Sequence, residues 1–264
     1  MNTWVIYLVT SVAVLLTGTA LFFFTLTRGA LIARRVLAKP DNDASHVYPI
    51  YSNMRLIRLI DFQPIISAIL LFQYKRLVSS IVHRIATLDL RGKDTLITSC
   101  AFGNVIPRVV SASLDAGARK VLIADIIKNE LDHAGTKLEA HAGQIEMLEQ
   151  NATALQLPSN SVSTNVIFFL LHELPHHLKI EALREAARVV VPGGKIFLAE
   201  FHRPKPWVLR ALSWTYFKVF EPLGLALWDT HDPVTLFEEI GGLQCERHTF
   251  FYDNFQLIVA TKNG

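Results

Sequence analysis

Cysteine is scarce in this chain, and charge is missing from one end of it. Cys100 and Cys245 are the only two cysteines. That excludes a disulfide framework and a cysteine-built metal site, and it fits a reduced compartment. No charged side chain precedes Arg28. There is no internal repeat and no low-complexity tract. No recognised nucleic-acid-binding motif accompanies the basic residues, so nucleic acid is not an expected partner. Glycine is sparse where a phosphate- or nucleotide-binding turn would want it: Ser99-Cys100-Ala101-Phe102-Gly103-Asn104 carries one.

What fills the uncharged end is apolar. Trp4 to Leu26 is an unbroken run of Val, Leu, Ile, Phe and small residues. A helix of roughly 20 residues at 1.5 Å each crosses a bilayer core. Arg28, Arg34, Arg35 and Lys39 follow at once, which places the following chain in the cytoplasm. A cleaved signal peptide would want a basic start, a shorter apolar stretch and a small-residue cleavage site. The sequence therefore predicts a single-pass membrane anchor over 1–27, with the bilayer as a partner. Residues 28–90 read as a basic linker and an amphipathic helical cap, and 91–264 as one good-sized domain. Residues 27–93 hold 11 Lys+Arg against 4 Asp+Glu, and residues 94–264 hold 15 against 19. A basic membrane-proximal segment ahead of a mildly acidic domain suits anionic lipid headgroups.

Pro40–Ser45 is a polar linker. Residues 50–88 have helix-like apolar patterning interrupted at Asp61 and Pro64. They read as amphipathic helices near the membrane or capping a site, or as ordinary helices packed on the core. From Thr95 the rhythm changes. Thr95–Cys100, Lys120–Asp125, Gln144–Leu148, Val166–Leu171 and Lys195–Phe201 are short apolar runs separated by the helical segments Ile106–Ala116, Lys128–Ala142 and His177–Val190. That spacing predicts a parallel α/β sheet. Cys245–Phe251 and Phe255–Ala260, joined by Tyr252-Asp253-Asn254, predict a closing antiparallel hairpin. Trp207–Trp228 carries a heavy aromatic load, suited to a membrane interface or the wall of an apolar pocket.

Such sheets bind ligands at the carboxyl ends of their strands. Gly103 permits the tight turn after the first strand. Asp125 ends the second strand, where an acid can accept both hydroxyls of a ribose, or cap the next helix. Asn151, with Ala152 beside it, follows the third strand and offers an amide to an adenine edge, or serves as a turn residue. His172-Glu173-Leu174-Pro175-His176 matches the HExxH zinc-protease pattern. That chemistry needs both histidines on one helical face, and Pro175 opposes the helix. The pair instead reads as the mouth of the fourth strand, where His172 acts as base or donor. Glu200 and His202 leave the neighbouring strand and converge there, so Glu173, Glu200 and His202 form a candidate site for a hard divalent cation.

Gln150–Leu157, Ser161–Leu171, Val189–Glu200 and the terminal hairpin together resemble the class I S-adenosylmethionine (SAM)-dependent methyltransferases. The turn Val189-Val190-Val191-Pro192-Gly193-Gly194-Lys195 is the most specific piece. Phe168–Glu173, His202-Arg203-Pro204, Glu221-Pro222 with Leu227-Trp228, and Thr249-Phe250-Phe251 are similar to the RquA-type enzymes of rhodoquinone biosynthesis. The resemblance covers about residues 90–260. It implies a Rossmann-like, mostly parallel sheet and SAM as cofactor. The cofactor set it implies is Ser99, Cys100, Ala101, Gly103, Asp125, Ile126, Asn151, Ala152 and Phe169. The catalytic set is His172, Glu173 and His202. The usual D-x-G-x-G-x-G turn is altered: its acid position is Ile97, and Ser99 and Ala101 stand for earlier glycines. The RquA-type enzymes also lack that acid. Resemblance to them implies replacement of a quinone methoxy group by an amino group from SAM, with a divalent metal such as manganese (Mn2+). The leading expectation is a membrane-anchored SAM-dependent transferase acting on a lipid-soluble aromatic such as an isoprenoid quinone. A non-catalytic, membrane-tethered binding protein is the rival from another class.

Overall fold

The computed structural model describes residues 3–26, 54–100 and 102–264. The basic cluster Arg28, Arg34, Arg35 and Lys39, the linker Pro40–Ser45 and the candidate Ala101 lie outside the described residues. Thr3–Leu26 is one α-helix, α1. Thr3–Gly18 within it is an apolar stretch. Among the described residues no single helix is long and apolar enough to cross a membrane.

Seven strands form one sheet: β1 (Asp94–Thr98), β2 (Lys120–Asp125), β3 (Ile145–Glu149), β4 (Val162–Phe168), β5 (Val190–Phe201), β6 (Leu243–Phe250) and β7 (Phe255–Lys262). Their order is β3-β2-β1-β4-β5-β7-β6. β1 to β5 run parallel, and β7 lies antiparallel between β5 and β6. The expected parallel sheet with an antiparallel hairpin is what the chain forms. All seven residues of β4 are buried, because helices cover both faces of the central strands. Strand order reverses between β1 and β4, and a crevice opens at the carboxyl ends there.

Helices α2 (Met54–Ile60), α3 (Gln63–Ile69) and α4 (Tyr74–Ala86) precede the sheet. The last two meet at 98°. Tyr74, Leu77, Val78, Ile81 and Ile85 make the buried stripe of α4, at the helical spacing of an amphipathic element. They share a core cluster with Ile97, Val109, Val121 and Phe197, so α4 packs on the sheet domain. On the same face lies α5 (Val105–Asp115), while α6 (Lys128–Thr136) follows β2. The other face holds α7 (His176–Val189) and α9 (Pro233–Ile240), whose Ala182, Leu183, Ala186 and Phe237 are buried against Leu96, Ile167 and Leu198. Between β5 and α9 comes α8 (Trp207–Phe220), which buries Phe217 and exposes Trp207 and Trp214.

Gly194 shows how tightly β5 enters the sheet. A Cβ on it would lie 2.6 Å from the Ser163 carbonyl oxygen and 2.6 Å from a Val190 methyl, distances that backbone cannot relieve cheaply. This is the physical reason for glycine in the Val189–Lys195 turn.

Candidate active site

The crevice is walled by the residue runs that leave four successive strand ends. β1 delivers Ser99 and Cys100, β2 delivers Asp125, Ile126 and Ile127, and β3 delivers Gln150, Asn151 and Ala152. From β4 come Leu170, Glu173, Leu174 and Pro175, while Glu130 on α6 and Leu178 on α7 close the sides. Six sequence-predicted cofactor residues, Ser99, Cys100, Asp125, Ile126, Asn151 and Ala152, therefore share one cleft. Gly103 and Phe169 stand outside its wall.

Asp125 organises the floor. One carboxylate oxygen accepts the Cys100 amide at 2.6 Å, and the other accepts the Ile127 amide at 2.8 Å. Each oxygen keeps a further lone pair, so the group can still accept from ligand hydroxyls. Burial raises its pKa, and the hydrogen bonds from Cys100 and Ile127 oppose that rise. Ser99 carries a φ of 79°, uncommon for a residue with a Cβ, and its amide donates to the Ala124 carbonyl at 2.8 Å. The backbone is thus bent sharply where β1 enters the cleft. Burial, together with Asp125 and Glu130, raises the pKa of Cys100 well above that of an ordinary thiol, which favours the neutral thiol. The Asn151 carboxamide oxygen accepts the Thr153 amide at 3.0 Å and its hydroxyl at 2.9 Å, an Asx-type turn that holds the residue in the cleft wall.

Behind the Gly103 turn stands a cluster that sequence reading missed. Asp61, between α2 and α3, accepts the Gly103 amide at 2.7 Å and the Lys137 ammonium at 2.9 Å on one oxygen. Its other oxygen lies 3.0 Å from His133 Nε2. Lys137 also donates to the Gly103 carbonyl at 3.0 Å. Gly103 has a φ of 82°, and a Cβ there would collide with the ring and hydroxyl of Tyr74. Asp61, between the N-terminal helices α2 and α3, and Lys137, just after α6, thus hold the same turn. No local pattern signals this, because the partners are 42 and 76 positions apart along the chain. Asp61→Ala strands the Gly103 amide and Lys137, and is expected to cost about 2–3 kcal/mol of stability, read by urea denaturation.

His172 and Glu173 sit on a 3-10 turn, Leu171–Glu173, while His176 begins α7 after an extended Pro175. The two histidines do not share a helix, and the zinc-protease geometry is absent. His172 Nδ1 lies 3.1 Å from the wholly buried Glu200, and its Nε2 lies 4.0 Å from Glu173. His172 thus does not line the cleft and stands behind Glu173, beyond hydrogen-bond distance of it. Burial alone would lower its pKa, but Glu200, Glu173 and Glu221 outweigh that and raise it to about 9. The imidazole packs edge-on among Phe169 and Phe201, and Gly224 passes close to it.

The expected metal set is not assembled. Among the described residues no three His, Cys, Asp or Glu side chains gather to hold a metal ion. β5 ends at Phe201, so His202 has left the strand's alternation. Its Nδ1 meets the Asp253 carbonyl oxygen at 2.8 Å and its Nε2 lies 3.2 Å from Arg247, directed to the β6–β7 hairpin rather than to Glu173. Glu200 is occupied by the His172 ring and the Phe201 amide. No observation here supports manganese.

Glu130 is the residue of the cleft that sequence reading passed over. It is 4% exposed, and its Oε1 has no hydrogen-bond partner. Burial raises its pKa to about 9, helped by the charges of Asp125 and Glu173. The available signal was its place beside the apolar stripe Leu131 and Ala134 on α6.

Comparison with known proteins places this geometry. Residues 61–233 match the sequence model of the ubiE/COQ5 methyltransferase family. The chain is 32% identical over 133 residues to a demethylmenaquinone methyltransferase of Bacillus licheniformis, a match covering 50% of this chain and 55% of that protein. It is 34% identical over 108 residues to the ubiquinone/menaquinone biosynthesis C-methyltransferase UbiE of Shewanella sp. (strain ANA-3), covering 40% and 42%. The chain spans about half the length of the relatives it matches. In fold it is similar to an O-methyltransferase family protein from Burkholderia thailandensis, with a TM-score of 0.65 at 16% identity, covering 91% of this chain and 70% of that one. A SAM-dependent methyltransferase from Aquifex aeolicus aligns with a TM-score of 0.53 at 16% identity, covering 80% and 98%.

Proposed function

Because this chain belongs to the ubiE/COQ5 methyltransferase family, we propose that it is a SAM-dependent transferase that modifies the ring of a lipid-soluble quinone. The observation that carries the reading is the cleft at the β1–β4 strand ends, with Asp125 bracketed by two backbone amides on its floor. The residues present fit SAM. Asp125 would accept from ribose hydroxyls, Asn151 in the cleft wall would offer its remaining amide N–H groups to the base, and the buried Glu130 oxygen lacks a donor. SAM supplies the carbon to be transferred as a methyl on a sulfonium. Glu173 lines the cleft, so its carboxyl is placed to hold or move a proton on a ring hydroxyl, with His172 behind it adding charge rather than a hydrogen bond.

The quinone's apolar tail needs an apolar surface. Trp207 is 76% exposed and Trp214 49% exposed on α8, and on α1 Trp4 is 80% exposed. These side chains support seating at a bilayer, through α1 as an anchor and α8 as an interfacial contact. Arg28, Arg34 and Arg35 favour the cytoplasmic side for the domain.

Ile97 supports a second reading. This strand position carries no acid, and its apolar side chain is buried. A cofactor whose amino group is less firmly held by β1 is a better amino donor, as the RquA resemblance implies. One experiment separates the readings. Detergent-solubilised protein is incubated with SAM and a quinone extract, and the quinones are weighed by mass spectrometry. Methyl transfer adds one methylene unit to the precursor. Amino-for-methoxy exchange lowers the quinone mass. If neither product forms while SAM binds, the enzymatic reading falls and the tethered binding protein stands.

A further inference from the structure

Three carboxyl side chains, Asp125, Glu130 and Glu173, line the same cleft, and among the described residues no lysine or arginine lines it with them. The Lys137 charge acts on Glu130, but its ammonium is held by Asp61 and by the Gly103 carbonyl. The Glu130 Oε1 is buried and has no donor. A buried carboxylate oxygen without a partner costs stability, and natural folds keep such a group where a ligand completes it. A cleft lined by three carboxyl groups favours a cation, beside which a carboxyl gives up its proton more readily. The ligand argued above has two cationic centres. Its sulfonium has no N–H or O–H to give, whereas its ammonium has three N–H donors.

We propose that Glu130 anchors the ammonium of the cofactor's amino-acid end, as a cofactor-binding residue supplied by α6 rather than by the turn after β1. This rests on the SAM reading. Placement agrees with it: Glu130 lines the cleft together with Ser99 and Cys100, the residues that leave β1. Its ionisable neighbours are Asp125 at the end of β2, Glu173 after β4, Asp61 between α2 and α3, and Lys137 after α6. With a pKa raised to about 9, free Glu130 is protonated at pH 7.5. An ammonium beside it favours the carboxylate, so binding expels that proton.

The test uses two ligands and one isosteric variant, with affinities measured by calorimetry on the whole detergent-solubilised chain. S-adenosylhomocysteine keeps the ammonium end; 5′-methylthioadenosine lacks it. Glu130→Gln is expected to weaken S-adenosylhomocysteine by about tenfold or more, the worth of one charge-assisted hydrogen bond. It should leave 5′-methylthioadenosine within about twofold, a margin of well under 1 kcal/mol. Wild type should release a proton on binding S-adenosylhomocysteine at pH 7.5, read from two buffers of different ionisation enthalpy, and the variant should not. Equal loss for both ligands makes Glu130 a structural residue and overturns the proposal. So does unchanged S-adenosylhomocysteine affinity. If wild type binds neither ligand, the SAM reading itself fails and the proposal falls with it.

Discussion

Asp125→Ala is expected to weaken SAM by about 100-fold or more, because two charge-assisted hydrogen bonds of about 1.5–3 kcal/mol each are at stake. The structure adds a second route to the same loss. The carboxylate also accepts the Cys100 and Ile127 amides, so the variant unpins the strand ends on both sides of the cleft. Asp125→Asn is no gentle control either. Its amide nitrogen would face one of those two backbone N–H groups, donor against donor, whichever way it flips. Calorimetric titration of folded protein, with circular dichroism as the check on fold, measures the effect. Wild-type SAM affinity in a folded Asp125→Ala protein would remove Asp125 from the site.

Glu200→Ala should cost about 3–5 kcal/mol of stability, the typical price of breaking a buried pair from one side. Glu200 is fully buried and takes up the His172 ring, the His172 amide and the Phe201 amide. The pH dependence carries a definite sign. His172 is raised to about 9 in the folded chain, from an ordinary value near 6.5 when unfolded. Its stabilising contribution, about 3 kcal/mol, is fully present below the unfolded value and is lost as pH rises through the folded one. Glu130, also raised to about 9, loses stability with the same sign in this window, so the His172 share is read as the difference between wild type and Glu200→Ala, which urea titrations should show shrinking from pH 6 to pH 9.5. A difference that stays constant across this window would mean that His172 is buried neutral.

The sheet was legible because it follows from local rules. β2 occupies Lys120–Asp125, the apolar run itself. The hairpin turn falls at Phe251–Asn254, where Tyr252, Asp253 and Phe251 take up left-handed backbone. The cleft's Asp125 and Asn151 were legible for the same reason: strand ends in an α/β sheet are where ligands bind. What escaped was set by distance through space. Asp61 holds Gly103 across 42 residues of chain, and no periodicity encodes that. The metal set failed on a single residue of register. Glu200 and His202 share a face only while the strand continues, and β5 stops at Phe201. Glu130 escaped because an acid in the first turn of a helix is ordinarily a solvated dipole partner. Only the packing of α6 over the cleft turns it inward.

The Asp61 clasp has a thermodynamic corollary. Gly103 and the helices over Met54–Ala86 are joined through one carboxylate, so the cleft's turn and the N-terminal helices are two ends of a single linked equilibrium. Linkage runs equally in both directions. Whatever steadies the turn must steady the helices by the same free energy, and whatever pulls the helices away must loosen the turn. The seating of the N-terminal segment and the filling of the cleft are therefore conjugate variables of one molecule.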